Sequence, residues 1–171
     1  MSVEFAPLRL AVMTVSDTRT EETDRSGAIL VERAKAAGHD VAAKVIVTDD
    51  TELVVAQLRE WIASDEIDVV LATGGTGVTG RDITPEAFEA VYEKHIPGFG
   101  ELFRMLSFQK IATSTIQSRA TAGVADGTYL FALPGSTGAV KDAWDDILVH
   151  QLDIRTRPCN FAELIPRLKE R

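Results

Sequence analysis

The segment of this chain best suited to chemistry is rich in glycine and runs from Gly74 to Gly80, with the sequence GGTGVTG. Glycine lets backbone N–H groups approach a phosphate closely, and the hydroxyls of Thr76 and Thr79 add further donors. The spacing matches neither a Walker P-loop, because no Gly-Lys-Ser/Thr follows, nor the G-x-G-x-x-G fingerprint of dinucleotide-binding folds. The pattern therefore favours an anion-binding loop. The alternative is a tight turn whose glycines only need positive φ.

Acidic residues lie at two places where a helix pattern begins. Asp82 follows the glycine-rich segment and precedes Thr84-Pro85, a typical helix start with a hydroxyl at the N-cap and proline at N1. Its carboxylate is therefore either a magnesium ligand beside phosphate oxygens or a helix cap. Asp49 and Asp50 precede the next helix pattern and offer the same two roles. We expect one of these two to be only a cap.

Hydroxyl and basic groups add to the candidate site. The segment 134–137, Pro-Gly-Ser-Thr, follows an apolar run and offers either an anion-binding helix N-terminus or an ordinary N-cap. Arg81, Arg104 and Arg119 could bind phosphates through their guanidinium groups, although each taken alone could equally be a solvated surface residue.

Zinc chemistry and thiol chemistry are not indicated. The three histidines, His39, His95 and His150, are far apart and show no i, i+4 pairing, which argues against a zinc site. Cys159 is the only cysteine, which excludes an internal disulfide and a cysteine-cluster metal site, and we expect a small, partly buried hydrophobe rather than a nucleophile.

The elements that must position these residues alternate between strand and helix patterns. Apolar runs predict strands at 8–15, 41–47, 68–73 and 129–133, and helical spacing predicts helices at 51–63 and 140–148. Helix-forming residues before Gly38 predict a helix at 26–37, start signals predict one from 84, and a further helix is predicted at 99–107. The stretch from 108 to 118 fits neither pattern. The proline-containing segment from Arg155 onward is expected to wrap on the surface or against a neighbouring subunit.

This alternation predicts an α/β fold with a mostly parallel sheet and helices on both faces. In such sheets, ligands bind beyond the carboxyl ends of the strands. Three segments end strands at that edge: 16–18 (Ser-Asp-Thr), 74–82 and 134–137. We therefore expect one composite site.

Length, charge and hydropathy narrow the possible partners. A chain of 171 residues with 45% hydrophobic content is expected to form one domain over residues 1–171. A net charge of −8 argues against general binding to nucleic acid or to an anionic membrane. Neither a signal peptide nor a membrane-spanning run is present, so we expect a soluble, cytoplasmic protein.

Several motifs, in this order along the chain, resemble the MoaB/MogA family of molybdenum cofactor biosynthesis proteins. They are TVSD at 14–17, DRSG at 24–27, GGTG at 74–77, DITPEA at 82–87, PGFGE at 97–101 and LPGS at 133–136. The stretches FRMLSF at 103–108 and TRPCNF at 156–161 are similar to the MoaB branch in particular. The resemblance covers nearly the whole chain.

The resemblance implies a doubly wound α/β fold, a homotrimer or a hexamer made of two trimers, and binding of molybdopterin at the strand ends. Active members adenylylate molybdopterin with ATP and magnesium, and Asp82 and Asp49 match acidic residues with catalytic and metal-binding roles. Other molybdenum cofactor enzymes are possible partners. The residues that match ligand-binding positions are Ser16, Asp17, Gly74, Gly75, Thr76, Gly77, Thr79, Ser114, Pro134, Gly135 and Ser136.

Resemblance to the MoaB branch leaves two functions open, because some MoaB-type proteins are inactive as adenylyltransferases. The chain is either an adenylyltransferase or a non-enzymatic molybdopterin-binding or carrier protein. The TPEA segment at 84–87 resembles the catalytic branch and favours activity. A weaker alternative is a nucleotide hydrolase on the same fold.

Overall fold

The computed structural model of the chain describes residues 2–171 and is organised around one six-stranded sheet. The strands are β1 (Arg9–Val15), β2 (Asp40–Val47), β3 (Val69–Thr73), β4 (Lys94–His95), β5 (Thr121–Ala125) and β6 (Thr128–Leu133). Their order across the sheet is β2-β1-β3-β6-β5-β4. The first four in this order are mutually parallel, and β5 and β4 continue the sheet in antiparallel fashion.

Helices cover both faces of the sheet, so the predicted doubly wound α/β fold is confirmed. The helices are α1 (Arg25–Ala36), α2 (Thr51–Ile62), α3 (Thr84–Glu89), α4 (Pro97–Ile111), α5 (Thr137–Ala143) and α6 (Val149–Gln151). A π-helical turn, Trp144–Leu148, joins α5 to α6, and 3₁₀ segments occupy Ala112–Gln117 and Ala162–Arg167. Helices α1, α4 and α5 pack on one face, whereas α2 and α3 pack on the other.

The central strands are buried on both faces because they consist almost entirely of apolar residues. In β1, Leu10 and Val12 point towards α1 and α5, while Ala11 and Met13 point towards α2. Successive side chains of a strand alternate between faces, so a continuous apolar run supplies both cores. No helix within residues 2–171 has the length and apolar character needed to cross a membrane.

The sequence patterns missed the antiparallel edge of the sheet. Strand β4 has only two residues, and β5 (TAGVA) contains little that favours a strand locally. A turn with positive φ at Asp126 and Gly127 returns the chain from β5 to β6. Helix α4 begins at Pro97 rather than at 99, because proline suits the first turn of a helix.

The C-terminal segment packs on its own chain. The Tyr129 hydroxyl donates to the backbone carbonyl of Phe161 at 3.1 Å, and the two rings lie 4.9 Å apart between centroids. The buried Asn160 amide donates to the carbonyls of Ile154 and Thr156. This segment therefore packs against the core on the α1–α4–α5 face of the sheet. Cys159 within it is exposed, so the expectation of a partly buried side chain is wrong.

Candidate functional site

Three strand ends meet at one edge of the sheet. Thr73 at the end of β3 pairs with Thr14 in β1 and with Leu133 in β6. The chain leaves β1 towards β2 on one side and reaches β3 on the other, which makes this edge the topological switch point where open α/β sheets bind ligands. The Thr73 hydroxyl donates to the Pro134 carbonyl at 2.8 Å, so the loops after β3 and β6 are tied together.

The first two glycines of the loop after β3 have a steric role. Gly74 and Gly75 have φ of +99° and +66°, which side chains rarely tolerate. A Cβ on Gly74 would lie 2.3 Å from the Val15 carbonyl oxygen, so the loop lies directly against the end of β1. Gly80 has no atom near its would-be Cβ and does not have positive φ. The turn interpretation therefore explains the first two glycines but not the last.

The same loop presents backbone donors to its surroundings. Within residues 2–171, the N–H groups of Gly75, Thr76 and Val78 donate to no protein acceptor. Unpaired backbone N–H groups at the start of a helix or in a turn bind anions. The geometry is therefore compatible with the anion-binding interpretation.

The carboxylate of Asp82 closes this loop instead of capping a helix. It accepts hydrogen bonds from the backbone N–H and the hydroxyl of Thr79, both at 2.8 Å. Burial opposes ionisation of Asp82, but these hydrogen bonds outweigh it, and the pKa lies below its ordinary value. Helix α3 has Ile83 at its N-cap and no side-chain cap, so the cap interpretation of Asp82 is wrong and Thr84 is the first helical residue.

Only one of the two adjacent aspartates after β2 is a cap, as expected. Asp50 occupies the N-cap of α2, and its carboxylate accepts from the backbone N–H of Leu53 at 3.0 Å. Asp49 takes no part in this cap. The backbone N–H of Asp49 donates instead to the Asp17 carboxylate at 3.1 Å, which joins the loop after β1 to the loop after β2.

Carboxylates crowd together around Asp49. Arg81 donates to both oxygens of Asp17, at 2.8 and 2.9 Å, and these bonds lower the pKa of Asp17. Partial burial raises the pKa of Asp49, and the negative charges of Asp17 and, more weakly, of Asp82 raise it further. Within residues 2–171 Asp49 has no ion-pair partner, and the nearby charge of Arg81 offsets this repulsion only in part.

The three arginines that the sequence offered for phosphate binding are engaged with protein atoms. Arg81 pairs with Asp17, Arg104 donates to the carbonyls of Ser118 and Ala120, and Arg119 donates to two loop carbonyls and to Glu86. In this structure the backbone of the loop after β3 (residues 74–82, the glycine loop), and not these side chains, faces the candidate site.

The predicted composite site consists of two adjoining cavities. The larger, about 710 Å³, lies between the end of β1 and the start of α1, and the smaller, about 380 Å³, lies between the glycine loop and α4. Predicted residues lining the larger cavity are Ser16, Gly74, Gly135 and Ser136. Those lining the smaller one are Gly75, Thr76, Gly77, Asp82, Ser114, Pro134, Gly135 and Ser136. Asp17, Asp49 and Thr79 line neither cavity.

Gly135 and Ser136 line both cavities and therefore form the wall between them. Ser136 is the N-cap of α5, and its hydroxyl accepts from the backbone N–H of Ala139 at 3.2 Å. The ordinary N-cap interpretation of this serine is thereby confirmed, and the residue borders both spaces as well.

Several lining residues escaped the sequence patterns. Phe103 and Ser107 of α4 and Gln117 of the following 3₁₀ segment line the smaller cavity. The sequence showed no clear helix or strand pattern after residue 107. Asp24 faces the larger cavity; it is 3% exposed and accepts from the Thr14 hydroxyl at 2.7 Å. The sequence feature that could have identified Asp24 is its position just before α1, where aspartate is a favoured N-cap.

Comparison with known proteins gives matches along nearly the whole chain. The family described as "Probable molybdopterin binding domain" matches residues 11–154. "Molybdenum cofactor biosynthesis protein B" of Escherichia coli (strain K12) is 53% identical over 170 residues, which cover 99% of this chain and 98% of that protein.

Two solved structures extend the comparison to the fold. One, described as the crystal structure of Molybdenum cofactor biosynthesis protein B, is 40% identical with a TM-score of 0.87, and the match covers 97% of this chain and 98% of that one. The other, described as tungsten cofactor synthesizing protein MoaB from Pyrococcus furiosus, is 33% identical with a TM-score of 0.79, covering 96% and 98%. The chain therefore belongs to the MoaB/MogA family of molybdenum cofactor biosynthesis proteins, whose domain is molybdopterin-binding.

Proposed function

We propose that this protein adenylylates molybdopterin, with molybdopterin in the smaller cavity and ATP in the larger. The observation that supports this arrangement most is the glycine loop, which borders both cavities. Gly74 lines the larger one, and Gly75 to Gly77 line the smaller one. Two anionic substrates placed on either side of one anion-binding loop would bring their phosphates together there.

The smaller cavity has the composition of a site for a flat heterocycle. Phe103 and Ile111 provide apolar surface, and Ser107, Ser114 and Gln117 provide hydrogen-bonding groups around it. Small-molecule sites typically combine an apolar lining with a few polar groups that fix orientation. A pterin, with its planar ring and its polar edges, fits this chemistry.

The larger cavity has room and donors for a nucleotide. Its volume of about 710 Å³ lies within the range of small-molecule sites. The hydroxyls of Thr18, Thr23 and Ser136 border it, and Arg19 and Arg25 lie at its edge without an ion-pair partner within residues 2–171. These groups would bind the ribose and the phosphates of ATP.

The proposed reaction needs no general base. The terminal phosphate of molybdopterin is a monoester with a second pKa of about 6, so it is largely ionised at neutral pH. One of its oxygens forms a bond to the α-phosphorus of ATP, and the bridging bond to the β-phosphate breaks, so pyrophosphate leaves with the electron pair. The protein contributes position and charge stabilisation: backbone N–H groups of the loop bind phosphate oxygens and fix the line of attack.

The acidic residues fit a magnesium ion. Asp49 carries a charge that burial and neighbouring carboxylates disfavour, and a cation held by Asp49 and Asp82 would relieve that repulsion. Within residues 2–171, no group of three or more acidic, histidine or cysteine side chains is placed to hold a metal without other ligands, so phosphate oxygens and water would complete the coordination. Magnesium, when bound, neutralises charge that develops on the phosphates.

A non-enzymatic molybdopterin carrier is the second candidate. One observation favours it: one oxygen of the Asp82 carboxylate already accepts two hydrogen bonds from Thr79 inside its own loop. A carrier would keep the pterin cavity and lack turnover.

Release of pyrophosphate distinguishes the functions. The purified protein is incubated with ATP and magnesium, with and without molybdopterin. Pyrophosphate that appears only with molybdopterin supports the adenylyltransferase. Molybdopterin binding without pyrophosphate identifies the carrier, and nucleotide consumption without pterin identifies a nucleotide hydrolase.

A further inference from the structure

Three backbone carbonyls of the glycine loop converge on a single residue, Arg119. Its side-chain Nε donates to the Gly77 carbonyl at 2.7 Å, and its Nη2 donates to the Asp82 carbonyl at 2.9 Å. Its backbone N–H donates to the Thr76 carbonyl at 3.0 Å. The remaining guanidinium nitrogen pairs with the carboxylate of Glu86 in α3.

This arrangement determines which way the loop's N–H groups point. The carbonyl and the N–H of a trans peptide unit point in opposite directions. Because the Gly77 carbonyl faces Arg119, the N–H of Val78 in the same peptide unit faces away from it, and this N–H has no acceptor within residues 2–171. Arg119 therefore holds the carbonyls of the loop and leaves the Val78 N–H available to an anion on the opposite side, while the Gly77 N–H serves the Asp82 carboxylate.

Glu86 keeps the guanidinium in place. Its carboxylate lowers the electrostatic cost of holding Arg119 beside the loop, and the pairing with Arg119 lowers the pKa of Glu86, as the hydrogen bond favours the charged carboxylate. The planar fork of arginine can reach two carbonyls and a carboxylate at once, whereas the single ammonium of lysine cannot reproduce that geometry.

We infer that Arg119 is the positioning residue of the anion-binding loop, which orients the donors of the loop and fixes the peptide that carries Asp82. This inference rests on the proposed function, because it assigns a role towards the same phosphates. Arg119 need not touch either substrate, since it acts through the backbone of Gly77 and through Asp82.

Arg104 provides a matched control for the test. Its guanidinium also donates to two backbone carbonyls, those of Ser118 at 3.4 Å and Ala120 at 2.9 Å, in the segment that carries Arg119. It does not contact the glycine loop and lines neither of the two cavities of the candidate site. Both Arg119→Lys and Arg104→Lys remove guanidinium hydrogen bonds to backbone carbonyls, but only Arg119→Lys removes bonds to the glycine loop.

The first measurement is amide hydrogen exchange of Thr79, Asp82 and Thr84, whose N–H groups are hydrogen-bonded within the loop or to it. We expect Arg119→Lys to accelerate their exchange about tenfold, because charge-assisted hydrogen bonds to the loop are lost, and Arg104→Lys to leave it unchanged. Exchange that stays at the wild-type rate in Arg119→Lys, or that rises equally in Arg104→Lys, overturns the inference.

The second measurement is turnover, with Asp82→Asn as partner in a double-mutant cycle. Arg119→Lys should lower kcat for pyrophosphate release about tenfold, and the double variant should be no worse than Asp82→Asn alone, because both changes act on one peptide. Strictly additive losses contradict action through Asp82. If the wild type itself releases no pyrophosphate, the proposed function fails, and the exchange measurement still decides the role of Arg119.

A milder variant covers the case in which Arg119→Lys does not fold. Glu86→Gln leaves the arginine in place and removes only the charge of its partner on α3. We expect loop exchange to accelerate about threefold, since the guanidinium is then held less firmly. An unchanged rate in this variant, together with an unfolded Arg119→Lys, assigns Arg119 to the stability of the fold and overturns the positioning role.

Discussion

The Asp82 carboxylate accepts two hydrogen bonds from one residue of its own loop, which leaves its charge available to a cation but fixes its orientation. Both bonds go to one carboxylate oxygen, Oδ2, so in Asp82→Asn the amide carbonyl oxygen can accept both while the charge is lost. We expect pyrophosphate release to fall roughly a hundredfold, as for removal of one charge-stabilising group, while molybdopterin affinity stays near wild type. Turnover and affinity measured on one preparation check this.

Asp50→Asn is the matched control for that change. Asp50, which follows Asp49 in the chain, acts only as the N-cap of α2, and asparagine caps a helix about as well as aspartate. The control should alter neither turnover nor the melting temperature by a large amount. Wild-type turnover in Asp82→Asn would rule out the catalytic assignment.

His39 provides a pH-dependent contribution to stability. It is 4% exposed, and its Nδ1 accepts from the backbone N–H of Leu8 at 3.1 Å, which requires the neutral ring. Burial lowers the pKa of His39, and the carboxylates of Asp153 and Asp40 offset this only in part.

The unfolded chain therefore binds a proton at a higher pH than the folded one. As pH falls below about 6.5, the free energy of unfolding should decrease by up to about 1.4 kcal/mol per pH unit, until the lowered folded pKa is reached. Above about pH 6.5, the ordinary pKa of histidine, the stabilising contribution of the neutral His39 is fully present. Urea unfolding of wild type and His39→Asn between pH 5 and 8 checks this prediction. In the variant, the change of unfolding free energy with pH should be smaller by up to about 1.4 kcal/mol per pH unit. Identical pH profiles would contradict the assignment.

At the scale of elements, the loop between β3 and α3 depends on glycine at one position and tolerates a side chain at another. Gly74→Ala places a Cβ against the Val15 carbonyl at a φ of +99°, which adds about 1–3 kcal/mol of backbone strain to the clash. The melting temperature and binding at both cavities should fall.

Gly80→Ala is the control within the same loop. No atom lies within 4 Å of its Cβ position, and the backbone there does not have positive φ. We expect this variant to unfold at the wild-type temperature or slightly above it, because alanine restricts the unfolded chain. Equal destabilisation by both changes would show that the packing against β1 is not what requires Gly74.

At the scale of the whole molecule, we propose that the protein assembles as a trimer or as a pair of trimers, as its family resemblance implies. Helix α4 leaves apolar side chains exposed, among them Leu102, Met105, Phe108 and Ile111, and exposed apolar clusters are typical of surfaces that contact other proteins. Light scattering across the micromolar range should give three or six times the mass of 18.6 kDa. A monomer throughout this range would contradict the prediction.

The sequence by itself determined the elements whose pattern is local. Apolar runs marked the four parallel strands, of which β1, β3 and β6 are buried on both faces, and helical spacing marked α2 and α5 because one stripe of each meets the core. The polar residues after those runs had to meet at one edge, since parallel strands end on the same side. The location of the candidate site therefore followed from the order of the motifs.

Tertiary structure decided the roles that depend on distant partners. Sequence could not separate Asp49 from Asp50 as the cap, because both precede the same helix and only the extended backbone at Asp50 aims its carboxylate at Leu53. Nor could it show that Arg119 holds Gly77, a residue 42 positions away, in place of a phosphate. The division into two cavities had the same origin, since their shared wall forms only when the loops after β3 and β6 are brought together by the sheet. Local patterns encode burial and backbone conformation, whereas the partner of a charged side chain is fixed only when the chain has folded.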